Sequence, residues 1–389
     1  MKPQRVLLGT QCGGGLGHVY KLLAIARALR ERGVEPLLVV NNLAEASARL
    51  AAEDIRALQA PITAPRRIAP EDRSDSYYDV LRLCGFGRAN ELFVELKWWD
   101  DLLSLSAPNL VVADYAPTLC LAASGRVPVV TIGTGFTVPP LHGEFFPSLT
   151  NRSPALEGQA AMLETVREVQ KRRSRPVHEH LPAVVRGVQN FACTVSLLDP
   201  YRAYRDGPVD GPLLVERPRP TARRMHYFAY LAGDAPKLET ALRGISASGL
   251  RGRIYLRHPS EQMLGLASSL SLTCTDAPVD LPTVLGETGI LVHHGGLSTS
   301  QQALLAATPQ VLLPRCFEQE LTARALVETG GAALVAGDVT PDDLGACLTA
   351  VATRPSYLAA AEAAAKALDH RETAGCLGAI VDVCLQALV

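Results

Sequence analysis

The sequence predicts an α/β protein built from two doubly wound domains, each around a parallel sheet. Short apolar runs bounded by Gly, Pro or Asp alternate with longer Ala-, Leu- and Arg-rich stretches of helical period, which is the pattern of repeated βαβ units. At 389 residues the chain is longer than one hydrophobic core comfortably fills. Near its middle, Glu216-Arg217-Pro218-Arg219-Pro220-Thr221-Ala222-Arg223-Arg224 can hold neither a helix nor a central strand. We therefore expect a first domain over 1–215, a linker over 216–224 and a second domain over 225–389, the last helix being the element that could pack back on the first domain.

In the first half, strands are expected at Val6 to Gly9, Pro36 to Val40, Leu110 to Ala113 and Val127 to Ile132, with helices near Tyr20 to Arg32 and Ala44 to Glu53. In the second half they are expected at His226 to Leu231, Arg253 to Leu256, Ser271 to Thr275, Gly289 to Val292, Gln310 to Leu313 and Ala333 to Val335. Between Pro139 and Pro182 the strand signal is weak and one helical stretch, Ala160 to Lys171, stands out, so this region reads as an insertion.

Lysine plus arginine (38) nearly balance aspartate plus glutamate (39), so bulk charge gives no reason to expect a nucleic acid or an anionic membrane as partner. No apolar run approaches the roughly 18 residues of a membrane span. The N-terminus is too short in its apolar part for a signal peptide, and a cytoplasmic protein is expected. Nine scattered cysteines without a C-x-x-C pair point to reduced thiols and to no metal site. The basic run Lys171 to Arg175 reads as a solvated helix end, with a peripheral contact to anionic headgroups as the alternative. Oligomeric state is not legible.

In the second half, Gly289-Ile-Leu-Val292-His293-His294-Gly295-Gly296-Leu297-Ser298-Thr299 is a buried strand that turns on glycines into a helix beginning at Ser or Thr. Such a turn binds anions, because first-turn amides point outward and the helix dipole adds partial positive charge. Gly295 and Gly296 let backbone approach a phosphate, Ser298 or Thr299 can donate a further bond, and His293 can reach a phosphoryl oxygen. Further on, Pro309-Gln310 opens a strand, and Glu318-Gln319 follows Pro314. A carboxylate beside an amide suits vicinal hydroxyls. In the first half, Gln11-Cys12-Gly13-Gly14-Gly15-Leu16-Gly17-His18 follows a strand and opens a helix, and Asp114 ends another strand at the carboxyl edge where doubly wound folds place ligands.

The ordered set His-x-Gly-Gly with Ser/Thr, then Pro-Gln, then Glu-Gln resembles the donor-site signature of family 1 glycosyltransferases, and the first-half loop resembles that family's Gly-x-Gly-His turn. The resemblance implies the GT-B fold, two Rossmann-like domains facing across a cleft. It implies that His18 is the general base and Asp114 its carboxylate partner. It also implies a donor site made of Gly17, Gly233, His293, Gly295, Gly296, Ser298, Thr299, Gln301, Glu318 and Gln319. The implied reaction moves a hexose, with inversion and without a metal ion, from a UDP- or TDP-linked diphosphosugar to a hydroxyl or other nucleophile of a small-molecule acceptor. No cofactor is expected beyond that co-substrate.

This chain departs from the family pattern in places. Thr275 to Leu281 carries no aromatic residue to stack on a base, and Gln301 stands where plant members carry a ribose-binding acid. Phe136, Phe145, Phe146, Trp98 and Trp99 could line an acceptor pocket or belong to the core. Other readings are a GT-B sugar-nucleotide epimerase, a non-catalytic nucleotide-sugar-binding protein, and a dinucleotide oxidoreductase. The last is disfavoured because the second strand ends in Val39-Val40-Asn41-Asn42, without a ribose-binding acid.

Overall fold

The structure is a computed structural model that describes residues 4–13, 16–61, 75–150, 154–216, 225–277 and 279–388. Residues 217–224 of the expected linker, and Gly14 and Gly15 of the glycine turn, lie outside the described residues.

The first sheet contains β1 (Arg5–Thr10), β2 (Glu35–Val40), β3 (Ala57–Gln59), β4 (Leu110–Asp114), β5 (Val129–Gly133) and β6 (Gln189–Ala192). The second contains β7 (Met225–Ala232), β8 (Gly252–Arg257), β9 (Cys274–Thr275), β10 (Thr288–His293), β11 (Gln310–Leu312) and β12 (Ala332–Leu334). Their orders are β3-β2-β1-β4-β5-β6 and β12-β11-β10-β7-β8-β9. All pairs in both sheets are parallel. Each sheet therefore reverses direction once, between β1 and β4 and between β7 and β10, and ligands of doubly wound sheets bind at such points.

The central strands are apolar throughout because helices cover both faces. In the second sheet Ala229, Leu231, Ile254 and Val292 pack with Leu242, Ile245 and Leu348, whereas the alternate residues Phe228 and Leu291 pack with Val284, Leu285 and Ala303. Two strands were not expected, β3 and β6. Both are edge strands and both are short and partly polar, so their extended form comes from pairing with β2 and β5 rather than from their own composition.

The compact units do not follow a single cut of the chain. Unit 1 comprises Met1–Cys193, Asp199–Leu213 and Gly375–Val389, and unit 2 comprises Thr194–Leu198 and Leu214–Ala374. Val195 and Leu198 join a cluster with Leu297, Leu304, Leu312 and Leu326. The last helix, Leu377–Gln386, buries Ile380, Val381 and Cys384 among Val6, Leu22 and Ile25. Composition marks where a linker is polar but not where a short apolar segment is lent to the other core.

The basic run has a structural explanation. Arg173 caps the helix Leu156–Arg172, its side chain is 4% exposed, and it pairs with Asp100 on the helix Ala89–Ser106 at 2.9 Å. Arg126 approaches the same carboxylate at 2.7 Å and Arg175 at 3.9 Å. Two of the five residues in the run are thus committed to an internal ion-pair network. Removing its shared anion with Asp100→Ala is expected to destabilise unit 1 by about 2 kcal/mol, because a nearly buried guanidinium loses its partner. Urea unfolding measures this, and an unchanged midpoint would show the network to be mere surface decoration.

Candidate functional site

The first cluster sits where β1 and β4 diverge. Thr10 and Asp114 are register partners at the carboxyl ends of these strands, and the chain leaving β1 passes through the glycine turn into the helix Gly17–Arg30. His18, the second residue of that helix, places Nδ1 2.8 Å from Asp114 Oδ2. The structure brings the expected pair together. It adds Lys21, one helical turn later on the same face, whose Nζ donates to Asp114 Oδ1 at 2.8 Å. Sequence reasoning missed Lys21, although its spacing of three from His18 was a usable signal.

Asp114 is 0% exposed. Burial by itself would push its carboxyl up, yet the charges of His18 and Lys21 and the hydrogen bonds from both outweigh burial and hold it below the usual carboxylate range. The imidazole is also fixed sideways. Tyr115 stacks on it with centroids 5.8 Å apart, and Tyr115 in turn packs beside Tyr77, which touches Phe136 and Phe146. Tyr115 has the unusual φ of 53°, and its carbonyl accepts from the Cys12 N–H at 3.0 Å, tying the turn to the end of β4.

Gly13 faces the ring directly. A Cβ built there would lie 2.4 Å from His18 Nε2, and φ is +88°. Nε2 therefore lies against side-chain-free backbone. Gly17 opens the helix, is exposed, and would accept a Cβ without contact. Its value lies in exposing the first helical amides, since the cap residue Leu16 supplies no side-chain bond and the first turn holds no acid.

Below the turn, Gln11 bonds Glu95 and Thr118, and Trp99 Nε1 donates to Thr118 at 3.0 Å, all of them buried. Trp99, Phe136 and Phe146 belong to the core, while Trp98 and Phe145 are half-buried. A cavity between Tyr77, Tyr115, Thr131, Thr137 and Leu141 has room for little more than one water, about 10 Å³.

The second cluster sits at the corresponding point of the other sheet. His293 ends β10, in register with Tyr230 and Leu312, and is 2% exposed. Its Nδ1 accepts from the Gly295 N–H at 3.1 Å and its Nε2 bonds Gln310 Oε1 at 2.9 Å. Both nitrogens are thus engaged inside the protein, where they hold the turn. Burial pushes its imidazole down to about 4. His294 does parallel work, accepting from the Ala232 N–H at 2.9 Å through Nε2 and bonding the Leu313 carbonyl at 2.8 Å through Nδ1.

Gly295 has φ +82°, and a Cβ there would come within 3.0 Å of the Gln319 carbonyl, so the turn lies against the start of the helix Phe317–Glu328. Gly296 is the uncapped N-cap of the helix Leu297–Leu305, a Cβ there would meet nothing, Ser298 is exposed and Thr299 half-buried. Glu318 and Gln319 are half-buried on the neighbouring helix, and Gln319 Oε1 accepts from the Arg315 N–H at 2.8 Å.

Two expected ligand contacts look different in the structure. Gln301 is 5% exposed, in the core face of its helix. At Gly233 a Cβ would strike the His258 carbonyl at 2.4 Å, so this glycine serves packing against the chain itself. Arg315, which sequence reasoning did not single out, pairs with Asp234 at 3.1 Å and holds that carboxyl below its usual range, bringing a cation to the same strand ends. Among the described residues no cluster of three or more His, Cys, Asp or Glu is placed to hold a metal ion, and no helix is long and apolar enough to cross a membrane.

Residues 273–375 match the family model for the C-terminal domain of erythromycin biosynthesis protein CIII-like proteins. Along 95% of the chain and 93% of its relative, the sequence is 24% identical to a UDP-N-acetylglucosamine–N-acetylmuramyl-(pentapeptide) pyrophosphoryl-undecaprenol N-acetylglucosamine transferase of Rhizobium johnstonii. The structure is similar to the glycosyltransferase of kitacinnamycin, with a TM-score of 0.71, 18% identity and full coverage of both chains. It is also similar to the glycosyltransferase VinC in complex with dTDP, at TM-score 0.68, 16% identity and 99% coverage of both. The chain is a glycosyltransferase with the GT-B fold. The matched family model and the similar structures agree with the resemblance to family 1 glycosyltransferases that its donor-site motifs carry.

The buried imidazole of His293 gives a pH prediction. Unfolded, it takes up a proton near its ordinary value of 6.5, and folded only near 4. Between those values the unfolded chain holds more protons, so stability falls as pH drops from about 6.5 toward 4, by up to about 3 kcal/mol. His293→Gln is expected to be less stable at pH 7.5 but to lose this part of the acid sensitivity. Urea unfolding of both proteins at pH 7.5 and 5 checks it, and equal pH sensitivity would contradict the buried neutral imidazole.

Proposed function

We propose that the chain transfers a hexose, with inversion and without a metal ion, from a UDP- or TDP-linked diphosphosugar to a hydroxyl of a small hydrophobic acceptor. The observation that carries this reading is the His18–Asp114 pair at the sheet reversal, with Nε2 directed at the glycine turn. His18 Nε2 takes the acceptor proton as the oxygen attacks the anomeric carbon. The bond from that carbon to the diphosphate breaks on the opposite side, and the imidazolium that forms is stabilised by Asp114.

The leaving diphosphate takes its charge onto the open amides of Leu297 to Thr299, the Ser298 and Thr299 hydroxyls and Arg315. This assigns His293 a shaping role, since its nitrogens already hold Gly295 and Gln310. Glu318 and Gln319 then meet the sugar hydroxyls across the same turn. The dTDP bound by VinC supports a thymidine donor and the N-acetylglucosamine transferase relatives support a uridine one.

Those relatives act on a pyrophosphoryl-undecaprenol acceptor, which is the second reading for this chain. The small acceptor is favoured because two cations of the Lys171 to Arg175 run, Arg173 and Arg175, are paired to Asp100.

In the test, uridine and thymidine diphosphoglucose are titrated calorimetrically and nucleoside diphosphate release is followed over a panel of hydroxylated aglycones. One of the two donors is expected to bind and turn over equally well with a chelator present. His18→Ala should lose about 10²- to 10⁴-fold in transfer while binding the donor as before. Full transfer by His18→Ala contradicts the base assignment, and a product that is still a nucleotide sugar favours the epimerase reading.

A further inference from the structure

We propose that Lys21 is a positioning residue that keeps the His18 imidazole neutral, and so available as a base, by holding the second oxygen of Asp114. The inference rests on the reading of His18 as the base. Asp114 is completely buried, and a carboxylate removed from water needs compensating positive charge or a proton of its own. Its two oxygens are divided, Oδ1 to the Lys21 ammonium and Oδ2 to the His18 ring, each at 2.8 Å. Both partners have side chains only 15% exposed, so solvent screens these bonds weakly.

The division has a chemical consequence. With an ammonium on Oδ1, the carboxylate is charge-balanced before the imidazole takes up any proton. Nδ1–H then donates to Oδ2, which leaves the lone pair on Nε2 facing Gly13. Without the ammonium, the group left to balance Asp114 is His18 itself, which would be drawn into its cationic form and lost as a base. The other groups that face His18 are Tyr115, stacked on the ring, and the turn holding Gly13 and Cys12, and neither tyrosine nor cysteine supplies positive charge.

Histidine NMR tests this on the full chain. Protein labelled at the histidine ring carbons is titrated from pH 5 to 9, with the His18 resonance assigned by its loss in His18→Ala. In Lys21→Met the His18 midpoint is expected to rise by about one pH unit, the effect of losing an opposite charge from the carboxylate it shares. Lys21→Arg should restore the wild-type midpoint. Where transfer is assayed, the acid limb of the kcat/KM profile should move upward in the same variant by the same amount. Lys21→Gln is titrated alongside, so that a folding defect in one variant does not decide the result. An unchanged midpoint in a folded Lys21 variant overturns the inference, whereas full transfer by His18→Ala overturns the base reading on which it rests.

Discussion

A carboxylate carried into the interior at the end of a central strand constrains much of unit 1. Asp114 cannot stay ionised there without positive partners, and the helix that follows β1 is the element able to supply them. That requirement fixes the rotation of the helix Gly17–Arg30, which must present His18 and Lys21 on one face, and it calls for glycine at Gly13 to leave the ring room. The left-handed backbone at Tyr115 belongs to the same solution, since it lets β4 end at Asp114 while the next residue folds over the imidazole.

Unit 2 solves a different problem with the same topology. Where unit 1 concentrates charge, the end of β10 removes it, since burial holds two adjacent histidines neutral against the bonds to Gln310 and to the Leu313 carbonyl, which favour the charged form. Their work is mechanical. His293 folds the chain back at Gly295, and His294 joins the ends of β7 and β11, so a helix N-terminus without side-chain cap or acidic first turn stands open beside Glu318 and Gln319. In the proposed function, anion recognition then falls to amides, hydroxyls and Arg315, which keep their character across pH, rather than to an imidazole that does not.

What could be read beforehand follows from where the information lies. Strands such as β4 and β10 announce themselves because parallel strands buried on both faces must be apolar along their whole length, whereas β3 and β6 borrow their form from a neighbour. The pairing of His18 with Asp114 was legible because both follow strands that a doubly wound sheet places side by side. For Lys21 only the spacing of three from His18 was legible, because its role depends on Asp114 having an oxygen left over, a fact of geometry 93 residues distant. The double engagement of His293 was hidden for a similar reason, since Gln310 is delivered by the register of β11. The assignment of Thr194–Leu198 to unit 2 leaves no compositional mark, whereas the last helix, within Gly375–Val389, was the element expected to pack back on the first domain.

In the proposed function the donor diphosphate is bound by the glycine turn of unit 2, leaving the turn of unit 1 for the acceptor and its base. Amide hydrogen exchange with and without saturating thymidine or uridine diphosphate tests it most directly. The account predicts slower exchange at Gly295 to Ser300 and at Glu318 to Glu320, with little change from Gln11 to Lys21. Protection confined to the first-half turn would contradict it and would make that turn a nucleotide site instead.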